Sequence, residues 1–199
     1  MQADRSNGWE KVAHRFMAER SAIGSATVRT WCRALPAGAS VLDLGCGSGL
    51  PISEVLLGEG CVVYGVDASP SLVTALHRRF PQVQVACEPV EESRFFDRKY
   101  DGIVAVGLIF LLQPDVQQTV IRRVSTALKP RGRFLFTAPV QAVAWADLMT
   151  GHQSVSLGDE IYRRALTNAG LSVLDEYIDE GENHYYDVAN NQLDIGAAV

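Results

Sequence analysis

Val41-Leu42-Asp43-Leu44-Gly45-Cys46-Gly47-Ser48-Gly49-Leu50-Pro51 is an apolar run that ends in three glycines at alternate positions and leads into a helix-like segment. This is the chemistry of a strand that must turn sharply beneath a bulky ligand. Glycine permits φ > 0, and with no Cβ it lets a ligand lie against the main chain. The dinucleotide fingerprint G-x-G-x-x-G is not completed, because Leu50 stands where the third glycine would fall, and no Gly-Lys-Ser/Thr follows to cradle phosphate. Nothing at this turn is arranged for a diphosphate. Asp67, which ends the next apolar run, lies 22 residues beyond Gly45, the spacing at which a carboxylate reaches a ribose hydroxyl. Its competing role, as a helix N-cap, is already filled by Ser69. A nucleoside is the ligand that these residues fit.

Outward from this turn, the chain alternates strands with helices. Trp9, Val12, Ala13, Phe16 and Met17 recur at helical spacing, so residues 7–33 read as one or two helices with a break near Gly24. Strands are expected at about 39–44, 61–66, 83–87, 100–106 and 133–138. Helices are expected at 50–58, at about 71–80 after Ser69-Pro70, and at 115–128. Residues 139–157 read as irregular. A helix at 158–169 stops at Gly170, and two last strands, 171–179 and 184–189, form a hairpin around Gly181-Glu182-Asn183. This pattern is that of an α/β, doubly wound, mostly parallel sheet with one antiparallel strand. A single domain is expected over 1–199, with an N-terminal helical lid at 1–36 and the sheet and helices at 37–190.

Composition narrows the partners. A net charge of −5 and a pI near 5.4 argue against nucleic acid. No apolar run is long enough to span a membrane. The four cysteines, Cys32, Cys46, Cys61 and Cys87, form no C-x-x-C pair and have no His at ligand spacing, so no metal site is expected and reduced thiols in a cytoplasmic protein are the simpler reading.

Four segments in order carry a family resemblance. Val41–Gly49 resembles the first motif of the class I S-adenosylmethionine-dependent methyltransferases, Val63–Ser69 the second, Tyr100–Gly107 the fourth and Leu128–Phe134 the approach to the fifth strand. The resemblance covers about residues 9–190 and implies a Rossmann-like, seven-stranded sheet in the order 3-2-1-4-5-7-6 with strand seven antiparallel. It implies S-adenosylmethionine as the cofactor and S-adenosylhomocysteine as its product. By position, Asp43, Gly45 and Gly47 would lie along the methionine part. Asp67 would hold the ribose, and Ala68 and Leu72 would flank the adenine. Val106 and Gly107 would offer backbone contact near the amino group. In the less regular third motif, Val90 N–H and either Glu88 or Glu91 would meet the adenine edge. Phe16 and Arg20 would face the cofactor from the lid.

Methyl transfer needs position, alignment and a dry site, and a neutral nucleophile also needs a base. The carboxyl ends of the later strands place Phe110, Trp145, Asp147, Asn183 and Tyr185 near an acceptor. His184 and His152 are the candidate bases, because imidazole titrates near neutrality. The segment Gly107–Leu112 lacks the Asn/Asp-Pro-Pro-Tyr/Phe of base-methylating members. It also lacks metal-binding acids, so metal-independent transfer to an O, N or C atom of a small molecule is expected. The alternatives are a non-catalytic S-adenosylmethionine-binding protein and a protein or RNA methyltransferase. The acceptor and the oligomeric state are not readable.

Overall fold

The computed structural model describes residues 4–191; residues 1–3 of the expected lid and 192–199 of the expected domain lie outside the described residues. Two helices, α1 (Trp9–Glu19) and α2 (Ser25–Cys32), precede β1 (Ser40–Leu44). Gly24 breaks them apart, holding φ 85° in the left-handed region. Then follow α3 (Ile52–Gly58), β2 (Val62–Asp67), α4 (Pro70–Arg79), β3 (Gln84–Cys87), β4 (Tyr100–Ala105), α5 (Pro114–Ala127) and β5 (Leu128–Thr137). The chain closes with a hairpin β6 (Ala142–Ala146) and β7 (Gln153–Leu157), α6 (Asp159–Asn168), β8 (Leu171–Ile178) and β9 (His184–Asn190).

Seven strands form one sheet in the order β3-β2-β1-β4-β5-β9-β8, which is the expected order with the two last strands numbered eight and nine. β1 pairs in parallel with β2 and β4, and β9 runs antiparallel between β5 and β8. Such a sheet must be covered on both faces. On one face Leu42, Leu44, Ile103, Phe134 and Phe136 pack with Val120, Ile121 and Val124 of α5 and with Tyr162 and Leu166 of α6. On the other, Val41, Val63, Val104 and Leu135 pack with Val28 and Trp31 of α2, Leu56 of α3 and Leu76 of α4.

Two expectations are corrected. Residues 139–157 are not irregular: Ala142–Ala146 and Gln153–Leu157 pair as an antiparallel ladder from Ala142↔Leu157 to Ala146↔Gln153. Its outer strand is largely exposed and rich in alanine, so no apolar alternation announces it. The helix ends at Ala127, close to the expected stop, but Lys129-Pro130-Arg131-Gly132 is not a gap before a strand from Arg133. β5 starts at Leu128, opposite Tyr100, and a register shift absorbs the extra residues before Arg133 meets Gly102.

Candidate active site

The glycine turn hangs from the end of β2: Gly45 N–H and Cys46 N–H both donate to Val66 O, at 2.8 and 3.2 Å. Gly45, Gly47 and Gly49 have φ of 69°, 53° and 83°, the left-handed region for which glycine was read. Asp67 closes the turn. Its Oδ2 accepts from Gly47 N–H at 2.9 Å and its Oδ1 from Ser69 N–H at 2.8 Å. Ser69 is the N-cap of α4, its Oγ accepting from Leu72 N–H at 3.3 Å. Burial raises the Asp67 pKa, against the two backbone hydrogen bonds that favour the charge.

A cavity of about 280 Å³ opens over this turn at the carboxyl ends of the strands. Asp43, Gly45, Gly47, Asp67, Leu72, Val106, Gly107, Phe110, Asp147, Asn183, Tyr185 and, from α1 and its end, Phe16 and Arg20 all line it. Ala68, Val90 and Glu91 line a second lobe of about 100 Å³ instead, beside Glu88. Gly45, Asp67, Leu108 and Leu111 line both lobes, so Asp67 lies on the boundary between them.

Asp43 lies at the floor, with Ser53 Oγ donating to its Oδ2 at 2.6 Å. Burial pushes its pKa up to about 7; the Ser53 hydrogen bond and the Arg20 charge oppose that rise, and the Asp67 charge adds to it. Arg20 crosses above, its Nε donating to Leu50 O at 3.1 Å and its guanidinium 5.2 Å from the Phe16 ring centre. Gly107 donates its N–H to Thr137 Oγ1 at 2.7 Å, so what it offers a ligand is its carbonyl. Beside Asn183 and Tyr185, which line the cavity, Asp179 organises the β8–β9 turn. It accepts from Asn183 Nδ2 at 3.0 Å and from Tyr185 OH at 2.9 Å. Asp147 Oδ1 accepts from Met149 N–H, Thr150 N–H and Thr150 Oγ1, which fixes the carboxylate at the tip of the β6–β7 hairpin.

Three expected site residues lie elsewhere. His184 does not reach the cavity, because side chains alternate along β9. Tyr185 takes the cavity side, and His184 shares the opposite face with Tyr186, its ring edge-on at 4.6 Å and its Nε2 3.3 Å from Glu176 Oε1. His152 is exposed and its ring lies over Gly8, with Nε2 2.8 Å from where a Cβ on that glycine would stand. Trp145 backs Phe110, with ring centres 5.4 Å apart, and does not line either lobe.

Sequence reading missed Trp9, Ile23, Leu108 and Thr137 in the larger lobe and Arg5, Ser6 and Asn7 in the smaller. Thr137 ends β5, and the rule that ligands bind at strand carboxyl ends would have found it. The N-terminal residues carried no such signal. Among the described residues, no group of three or more His, Cys, Asp or Glu is placed to hold a metal ion.

The donor set suits S-adenosylmethionine. A bare main chain at Gly45 and Gly47, open space beside Gly107 at φ 73°, a ribose-spaced carboxylate and the half-buried Arg20 guanidinium meet in one two-lobed site. Residues 41–132 match the model of the methyltransferase domain family. A ubiquinone biosynthesis O-methyltransferase from Coxiella burnetii is 34% identical over 104 residues, 50% of this chain and 43% of that protein. Its counterpart from Xanthomonas axonopodis is 33% identical over 126 residues, 61% of this chain and 52% of that protein. The chain thus spans about half the length of the curated relatives it matches. Among solved structures, the Burkholderia thailandensis 1,6-didemethyltoxoflavin-N1-methyltransferase, bound to 1,6-didemethyltoxoflavin and S-adenosylhomocysteine, superposes with a TM-score of 0.72 at 19% identity, covering 92% of this chain and 84% of that one. The CcbJ methyltransferase from Streptomyces caelestis superposes with a TM-score of 0.73 at 15% identity, covering 96% and 100%. At these identities the likeness is one of fold. The chain is thus similar to the methyltransferase domain family over residues 41–132 and shares the fold of the solved methyltransferases on which it superposes.

Proposed function

We propose that this chain transfers a methyl group from S-adenosylmethionine to an oxygen, nitrogen or carbon of a small molecule, without a metal ion. The observation that carries the reading is the pair of lobes meeting at Gly45 and the Asp67 carboxylate. A nucleoside with a charged amino-acid tail needs two compartments joined at its ribose. Asp67 would hold the ribose hydroxyls. Ala68, Val90 and Glu91 would enclose the adenine, with Leu72 at its edge. The carbonyls at Val106 and Gly107 would take the ammonium, and Arg20 would balance the carboxylate. Bound there, the cofactor supplies an activated methyl on a sulfonium.

The chain's own part is position, dryness and a proton acceptor. Trp9, Phe16, Leu108 and Phe110 line the larger lobe and would exclude water from it once it is filled. Phe110, Asp147, Asn183 and Tyr185 would hold the acceptor. With both histidines turned away, Asp147 would take the proton from an oxygen or nitrogen acceptor. Its Oδ1 is tied to the hairpin, which aims the carboxylate as a unit. The names of the relatives, an O-methyltransferase of ubiquinone biosynthesis and an N1-methyltransferase, support a small acceptor.

Calorimetry with S-adenosylmethionine tests the cofactor site: the wild type should bind, and Asp67→Ala should weaken binding at least tenfold. Equal affinity of the two would overturn the ribose assignment. A labelled-methyl assay on a metabolite extract tests transfer, and binding without any labelled product would point to a non-catalytic carrier instead.

A further inference from the structure

Away from the ligand lobes, two cysteines distant in sequence meet. Cys32 ends α2 and Cys61 immediately precedes β2, and their sulfurs lie 2.9 Å apart. A disulfide needs sulfurs at about 2.05 Å, so closing the pair takes a movement of roughly 0.9 Å. We propose that Cys32 and Cys61 form a reversible dithiol–disulfide site that staples the N-terminal helical segment to the sheet.

The surroundings support this chemistry. The two sulfurs share a hydrogen bond, which lowers the Cys32 pKa against burial and favours the thiolate that reacts; the same pairing pushes the Cys61 thiol up. Both thiols are buried, but exposed Gly60 borders Cys61 and exposed Arg33 borders Cys32, so a small oxidant would reach them from this edge. The other two thiols contrast with this pair. Cys46 is buried under the glycine turn, its sulfur 2.8 Å from where a Cβ on Gly65 would stand. Cys87 is exposed, with no thiol partner among the described residues.

The oxidant is a hydroperoxide. With hydrogen peroxide, Cys32 thiolate takes one oxygen to become a sulfenic acid, and hydroxide leaves. Cys61 sulfur then attacks the Cys32 sulfur, the S–S bond forms, and the sulfenic oxygen departs as water. Two thiols lose two electrons and two protons, and one peroxide becomes two waters. A dithiol reverses the step by exchange. The ring so closed runs from 32 to 61 and contains β1, the glycine turn and α3. The bond lies at the amino end of β1 and β2, whereas the lobes open at the carboxyl ends, so oxidation should stiffen the cofactor-binding half without blocking it.

The test uses the full chain, reduced, desalted and treated with hydrogen peroxide. Expected are loss of the mass of two hydrogens, one cross-linked peptide joining Cys32 to Cys61 in an unreduced digest, and return to the starting mass with dithiothreitol. The oxidised protein should melt roughly 5 °C or more above the reduced one. Cys87→Ser should leave the mass loss intact, and Cys61→Ser should abolish it. Oxygen adducts without a cross-link, a cross-link through another pair, or equal melting temperatures would each overturn the proposal. None of these readouts depends on the methyltransferase reading.

Discussion

Asp43 sits dry beneath a turn of bare main chain, bonded to Ser53 and facing Arg20. Its pKa, raised by burial to about 7, lies above the ordinary carboxylate value that it regains on unfolding. The stability it contributes is therefore complete below about pH 4, and it is lost as pH rises through 7, because the folded chain holds the proton longer than the unfolded one. Asp43→Asn should flatten the fall in stability between about pH 4 and 7, which urea titrations across that range would measure. Gly65 makes a steric prediction. A Cβ there would stand 2.8 Å from Cys46 Sγ and 3.3 Å from Cys46 Cβ, under the glycine turn. Gly65→Ala should cost about 1–3 kcal/mol in denaturant unfolding, because the buried Cys46 thiol would have to shift. At this scale, glycines and Asp67 were legible because their constraint is local: backbone conformation and spacing to a turn. His184 was misread because one residue of register along β9 decides its face, and that register is set by pairing with β5 and β8.

Among the elements, α1 is held over the site by one carboxylate. Glu10 accepts from Ser71 N–H at 3.0 Å, from Ser71 Oγ at 2.6 Å and from Ser69 Oγ, and so joins α1 to the N-terminus of α4, where a negative charge is favoured. Burial opposes its charge, but the hydrogen bonds from Ser69 and Ser71 prevail and lower its pKa. This contribution is present above the unfolded carboxylate value and is lost as pH falls through the lower folded one. Glu10→Gln should destabilise the α1 docking by about 1 kcal/mol, seen as faster hydrogen exchange across Trp9–Glu19 while the strands stay protected. Periodicity showed that α1 exists and which face is apolar. It did not show Glu10, whose partners lie some 60 residues away on another helix. The β6–β7 hairpin was hidden for a different reason: it stands off the core, so burial imposes no pattern on its outer strand.

For the molecule as a whole, the polar hub outside the site is Asp187, fully buried in β9. It accepts from Trp31 Nε1 of α2 at 3.2 Å, from Tyr177 OH of β8 at 2.9 Å, and pairs with Arg133 of β5. One side chain thus joins three neighbouring elements. Asp187→Ala should cost about 3–5 kcal/mol in global unfolding, since it strands the half-buried Arg133 charge and two hydroxyl- and indole-type donors. The strand order was legible because four motifs fix β1, β2, β4 and β5 in sequence and the terminal hairpin allows one antiparallel insertion. The long-range polar hub at Asp187 was not, since nothing local distinguishes it from a surface aspartate. The N-terminal segment has one more consequence. Arg5, Ser6 and Asn7 wall the smaller lobe, and Trp9, Phe16 and Arg20 wall the larger. On the proposed reading, the cofactor spanning both lobes and the acceptor beside it share this stretch, so each would change the affinity of the other by the same factor, whichever binds first.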